Sequence, residues 1–289
     1  MSILNQSSCF FVARAWAFVR AGLWVAVGAG CLAVVPVRAV AQTAAADTSL
    51  LAQWQVRLEP DGQGSDARGT QLLALLGGQE GIATAQDKVS WPTGGSGDYR
   101  IDSTLTPRGG LAAFFRRLHW VRTASGEVHR GVPELLAASN QRGDDPVIRM
   151  RIEQGRLSIA SGVGSASAPL AQAAMAPVAL SDPLTLSWGY LQRPLPSQPF
   201  TVPLLINDKV QTAHVVPRTA SLRWQGQEVA CVLLDAHSAQ SSATLRIWLR
   251  QGDGLPLQIA LGMGDRYGLD VVQTLVRAPV GLPSLQAAR

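Results

Sequence analysis

Alternation of apolar and polar residues with a period of two dominates the chain from Trp54 to Val276, and this is how a strand with one buried face is written. Trp54, Val56 and Leu58 alternate with Gln55 and Arg57. After a Gly/Asp-rich break from Asp61 to Gly69, the stretch Leu72 to Trp91 reads as extended and ends at Pro92. The turn Thr93-Gly94-Gly95-Ser96-Gly97 leads to Tyr99, Ile101 and Leu105 on one face, with Arg100, Asp102 and Thr104 on the other. Ile148, Met150 and Ile152 pass through Gln154-Gly155 to Leu157 and Ile159. Phe200, Val202, Leu204 and Ile206 reach an Asn207-Asp208-Lys209 turn before Val210 to Val216.

Leu222 and Trp224 precede Gln225-Gly226-Gln227 and a strand through Cys231. Leu245, Ile247 and Leu249 pass through Gln251-Gly252-Asp253-Gly254 to Leu255, Leu257, Ile259 and Leu261, and Leu269 to Val276 closes the series. Strands at this spacing joined by tight turns predict an all-β antiparallel meander. One or two short helices interrupt it. Asp182-Pro183 supplies the N-cap and first-turn residues that a helix over Leu184 to Leu191 prefers. Gly109 to Arg117 is a compact apolar turn ending in Arg116-Arg117. Ser161 to Ala179, rich in Ala, Ser and Gly, reads as a flexible loop inside one domain.

Residues 1–41 follow another grammar. Arg14 and Arg20 precede an apolar core from Ala21 to Pro36, no acidic residue occurs, and Ala39-Val40-Ala41 is a small-x-small cleavage site before Gln42. This is the layout of a secretory signal peptide. The core is shorter than the ~20 apolar residues of a spanning helix, which favours a cleaved signal over a retained anchor. Gly28-Ala29-Gly30 before Cys31 is a poor lipoprotein signal. The expected organisation is a signal over 1–41, a mature N-terminal segment over 42–69 with a possible first strand, one antiparallel β domain over 70–277, and a tail over 278–289. The expected location is the periplasm.

Export changes the electrostatics. The chain has 25 Lys+Arg against 20 Asp+Glu, a net charge of +5. Three arginines leave with the signal, so the mature chain carries 22 against 20, about +2. Its arginines are dispersed, and the clustered basic stripe that nucleic acid demands is missing from the sequence. Cys9 and Cys31 also leave, which isolates Cys231 in an apolar run and excludes an internal disulfide.

No catalytic constellation emerges, and the expectation is a non-enzyme without cofactor or metal. His119, His129, His214 and His237 lack zinc-site spacing, although His119 and His129 could meet across a hairpin. Gly94-Gly95-Ser96-Gly97-Asp98 fails as a nucleophile elbow at its last position. Gly262-Met263-Gly264 opens no helix and lacks a third glycine, so it supports no dinucleotide site. Asp144-Asp145 reads as a solvated turn with too few oxygen ligands for calcium.

The order of segments resembles the domain of unknown function 3108 family of exported bacterial proteins. The matching pieces are Tyr99-Arg100-Ile101 through Gly110 to Phe115, Asp182 to Leu186, Pro199 to Leu204, and Leu245 to Leu249 followed by Leu255 to Ile259. The similarity runs from about Thr70 to Val276, with Gln258 standing where a basic residue is usual and an insertion around Ser161 to Ala179. The resemblance implies an open or partly closed antiparallel β-barrel, similar in fold to periplasmic lipoprotein carriers. It supplies no catalytic residues.

Two function classes follow. The first is a periplasmic, monomeric binder of a lipid or other apolar molecule. Its candidate ligand-binding or lid residues are Leu111, Phe114, Phe115, Trp120, Trp188 and Phe200. Arg116-Arg117 beside the Leu111 to Phe115 turn allows peripheral contact with an anionic membrane. The alternative is an envelope scaffold that binds a protein partner through sheet edges and aromatic residues such as Trp91, Trp120 or Trp248.

Overall fold

The computed structural model describes residues 48–61, 67–76, 81–92, 96–108, 119–161, 164–169, 180–206, 209–262, 268–280 and 282. The candidates Leu111, Phe114 and Phe115, and the export signal, lie outside the described residues. The first meander comprises β1 (Thr48–Pro60), β2 (Ala83–Trp91), β3 (Gly97–Pro107), β4 (Trp120–His129), β5 (Val132–Arg142), β6 (Ile148–Glu153), β7 (Arg156–Ser161) and β8 (Gly164–Pro169). The second comprises β9 (Phe200–Ile206), β10 (Lys209–Trp224), β11 (Gln227–Ser238), β12 (Ser241–Arg250), β13 (Pro256–Gly262) and β14 (Leu269–Leu275). Two helices are described, α1 (Ala67–Leu76) and α2 (Pro183–Trp188).

All fourteen strands join one antiparallel sheet that is not closed on itself. Its order is β8-β7-β6-β5-β4-β3-β2-β1-β14-β13-β12-β11-β10-β9. The fold is therefore all-β and meander-like. The first and last strands of the domain meet at its centre, where Trp54 pairs with Leu275 and Val56 with Gln273. β1, anticipated as a possible first strand within 42–69, is thus integral to the sheet. Residues 44–289 cluster as one compact unit.

The alternation holds in detail. Leu50, Ala52, Trp54 and Val56 of β1 are buried, as are Ala83, Ala85, Asp87, Val89 and Trp91 of β2. Two of the anticipated turns carry positive φ at both central residues, Gln154-Gly155 and Gln225-Gly226, the geometry that matches strand twist in a two-residue hairpin. Three expectations are corrected. Ala67–Leu76 is helical, because Gln71 to Leu76 contains strong helix formers and no β-branched residue. Gly164–Pro169, read as loop, forms β8, which pairs antiparallel with β7 along its backbone. The two segments Val210 to Val216 and Leu222 to Trp224 are one 16-residue strand, β10.

The gap between β5 and β9 is bridged by two residues. Leu135 N–H donates to Leu180 O (3.0 Å), Ser181 N–H donates to Pro203 O (3.0 Å), and Leu205 N–H donates to Ser181 O (2.8 Å). This seam leads straight into α2, whose residues 184–188 are buried. Leu184 and the fully buried Trp188 join the cluster of β1, β2 and β3, whereas Leu186 joins a second cluster with Val202, Val215, Leu234 and Ile247. The helix therefore contributes to both clusters of buried residues.

Candidate functional site: the seam cleft and the polar cluster beneath it

The local sequence fixes α2 tightly. Asp182 accepts a hydrogen bond from Thr185 N–H (2.8 Å), Pro183 occupies the first turn, and Ser187 Oγ donates to Pro183 O (2.7 Å). Thr185 and Ser187 are buried, so this short helix presents polar groups inward as well as apolar ones. Tyr99 OH and Thr185 Oγ1 are 3.0 Å apart. Burial pushes the Tyr99 hydroxyl well above its ordinary pKa.

Beneath α2 sits a carboxylate on an apolar face. Asp87 is 1% exposed, and its Oδ2 accepts from both Trp54 Nε1–H (3.0 Å) and Trp188 Nε1–H (3.1 Å). The two indoles meet edge to face at 6.2 Å. Asp87 Oδ1 makes no full hydrogen bond, although the Ser103 hydroxyl is close enough to favour the ionised form. Burial raises the Asp87 pKa above 3.8, opposed by Ser103, Arg122 and the two indoles. Asp182 is raised by the same cause, opposed first by Thr185. Arg122 shifts downward through burial, with Asp87 and then Asp182 opposing. This cluster ties β1, β2, β3 and α2 together.

A cleft of about 480 Å³ opens on the other side of α2, along the seam. Its floor is Thr185, Leu186 and Gly189, and its walls are Val132-Pro133, Phe200 and Val202. The remaining rim is the loop from Tyr190 to Pro199. Pro194, Pro196 and Pro199 restrict that loop, because each fixes its own φ and limits the residue before it. Main-chain bonds pin it from below: Leu191 N–H to Trp188 O (3.0 Å), Arg193 N–H to Tyr190 O (3.1 Å) and Gln192 N–H to Asp253 O (2.6 Å). Gly254 (φ +67°) permits that last approach, since a Cβ there would stand 1.9 Å from Tyr190 O.

Ser181, Thr185, Ser197 and Gln198 interrupt the apolar lining, together with the larger Tyr190 and Arg193. Arg193 is half-buried, donates from Nη1 to Gly189 O, and lies 5.8 Å from the Tyr190 ring centroid. Its guanidinium packs over Gly131, where a Cβ would meet Nε at 3.3 Å. Burial lowers its pKa, with Tyr190 opposing, and pushes the Tyr190 hydroxyl up to about 12. Among the described residues no carboxylate forms an ion pair with Arg193.

Of the candidates from sequence, Phe200 lines the cleft. Trp188 belongs to the core, held by Asp87. Trp120 is half-buried on β4 beneath the guanidiniums of Arg122 (4.3 Å) and Arg142 (4.4 Å), and donates to Asn140 Oδ1. Trp91 is not a surface aromatic; it is 7% exposed and packs on Tyr99 at 5.0 Å. Trp248 is half-buried. All four histidines are exposed. His119 and His129 stand at opposite ends of β4 and do not meet, whereas His214 and His237, for which no pairing was expected, meet across β10 and β11 at 5.4 Å. Cys231 is buried, and burial pushes its thiol up to about 11, with Arg250 opposing.

Sequence reasoning missed Arg193, Tyr190 and Asp87. The first two sit in a proline-punctuated loop with no periodicity. Asp87 was readable, as the one charged residue on the apolar face of Ala83, Ala85, Val89 and Trp91.

No family model matches the chain, and no curated protein matches it. Among solved structures it is similar to a beta-barrel-like protein of domain of unknown function DUF1849 from Brucella abortus. The identity is 9%, the match covers 80% of this chain and 96% of that one, and the TM-score is 0.38.

Proposed function

We propose that this is a non-enzymatic protein of the bacterial cell envelope that holds a lipid or other apolar molecule in the seam cleft. The observation that carries the reading is the cleft itself: about 480 Å³, walled by Leu186, Val202 and Phe200, and bounded by a loop that prolines hold in place. Ligand sites are typically concave, mostly apolar and about 300–1,000 Å³ in volume, with a few placed polar groups. The export signal over 1–41 puts the mature chain in the periplasm under this reading. The resemblance to the domain of unknown function 3108 family belongs to the same proposal.

The test is native mass spectrometry of Gln42 to Arg289 purified without detergent, beside a Val132→Trp variant. Val132 lines the cleft and is 42% exposed, so the indole blocks the cleft without entering the core. A reproducible adduct that extracts into organic solvent, and is lost in the variant, is the expected result. A bare polypeptide mass after exposure to membrane extract would sink the reading.

A second reading, a protein-binding scaffold, has one observation behind it. Leu51, Val276 and Val280 are exposed (47%, 50% and 82%), and Leu51 bridges to Val280 beside the β1–β14 junction. The same preparation tests it: co-purification of a stoichiometric protein, released when Leu51 and Val276 become Ser, is the outcome it requires.

A further inference from the structure

We propose that the ligand of the seam cleft is an anionic amphiphile, whose acidic head group is bound by Arg193 while its apolar chain lies along Leu186, Val202 and Phe200. The inference rests on the cleft reading and adds the chemistry of the head group.

The argument is one of charge complementarity. Arginine stays protonated throughout the working pH range, and a half-buried guanidinium has lost part of its hydration. Proteins compensate such a group with a carboxylate or with several hydrogen bonds. Arg193 has neither in full. One N–H reaches Gly189 O at the end of α2, its flank rests on Gly131, and Tyr190 offers its ring. No ion pair forms among the described residues. No acidic group contributes to its altered proton affinity; Tyr190 alone opposes the burial. Tyr190, beside it in the lining, keeps a neutral hydroxyl and so adds no negative charge of its own.

A purely apolar ligand would leave this cation under-solvated against its own surface. An anion would restore what burial removed. A cationic head would place a positive charge beside Arg193, so the site selects for a head that presents an anionic group.

The experiment compares two probes of equal chain length, dodecanoate and dodecanol, titrated by calorimetry into Gln42 to Arg289 below their aggregation concentrations. Dodecanoate is expected to bind at least about tenfold more tightly, the scale of a charge-assisted hydrogen-bonded contact. Raising the salt concentration should erode that preference and leave dodecanol unchanged. In Arg193→Gln, which retains an amide donor for Gly189 O, the preference should fall to within about twofold, whereas Arg193→Lys retains a charge and most of the preference. Equal binding of both probes to the wild type, with no effect of salt or of either variant, would overturn the head-group inference and leave the cleft reading standing. Binding of neither probe, with no native adduct, would overturn both. The salt series uses the wild type alone, so it decides the matter even if Arg193→Gln does not fold.

Discussion

Asp87 offers the sharpest test of how the barrel is held together. Its Oδ2 accepts both buried indole N–H groups, from Trp54 on β1 and Trp188 on α2. Replacement by Ala removes the acceptor and orphans two donors on residues with no exposed surface. Each orphaned buried donor costs about 1–3 kcal/mol, so Asp87→Ala should lose about 4 kcal/mol in total. Asp87→Asn keeps one carbonyl oxygen for the indoles but puts an amide where the protonated carboxyl held its proton, which should cost about 1–2 kcal/mol in acid. Equilibrium urea unfolding of Gln42 to Arg289, followed by tryptophan emission, measures both. The asparagine variant also has a defined pH dependence. Burial raises the Asp87 pKa above 3.8, so the folded state binds that proton more tightly than the unfolded chain does. This contribution to stability is complete below about 3.8 and is lost as pH rises through the folded-state value. Asn has no proton to lose, so the cost of Asp87→Asn should be largest in acid and shrink as pH rises through that window. Arg122 faces the carboxyl, and Asp182 acts on Arg122; both are present in both proteins, so the difference isolates Asp87. An Asp87→Ala variant within about 0.5 kcal/mol of wild type, as a surface substitution would be, refutes the clamp.

Two further outcomes follow from geometry. Gly254→Ala should destabilise by more than about 2 kcal/mol, through its left-handed φ and the collision with Tyr190 O, and should lower Tm by about 4–8 °C. Gly155→Ala has a similar φ (+69°) but nothing within 4 Å, so it isolates the strain alone, and calorimetric melts that rank the two equally would contradict the packing argument. Cys231, buried with its thiol pKa at about 11, should resist thiol reagents at pH 8 until urea unfolds the chain; rapid labelling of the native protein would show that the β11 face is open.

Most of the sheet was legible because antiparallel strands with one wet face write their period into the sequence. The turns were legible for a separate reason: Gln154-Gly155 and Gln225-Gly226 must both adopt positive φ, and glycine does so without strain. Asp182-Pro183 announced α2 through capping chemistry. β4 and β5 were not read as strands. In β5 a register shift opposite Ser125/Gly126 puts two half-buried residues, Leu136 and Ala137, between the buried Leu135 and Ala138, so its parity flips midway. The cleft was legible only at Phe200, because it is assembled from segments far apart in sequence that main-chain bonds bring together. Those bonds involve Leu180, Ser181, Pro203 and Asp253 through backbone atoms, which leave no side-chain signature.

The seam explains why the cleft lies where it does. A sheet that is not closed on itself leaves two edges, and an unprotected edge invites pairing with another chain. β9 carries Pro203, which has no N–H to offer a neighbour, and its carbonyl is taken by Ser181 N–H. Three backbone hydrogen bonds therefore stand between β5 and β9 through residues 180–181, where β9 and β10 hold seven residue pairs in register. At about 1 kcal/mol net for each bond, the seam is the line along which this fold separates most cheaply. The cleft opens along that same line, and its floor is α2, the element that Asp87, Trp54 and Tyr99 anchor to the opposite wall. Under the proposed function, a ligand would enter between Val132-Pro133 and Phe200 against a rigid base, with only the seam to strain. In a fully closed barrel the same entry would have to break a continuous ladder.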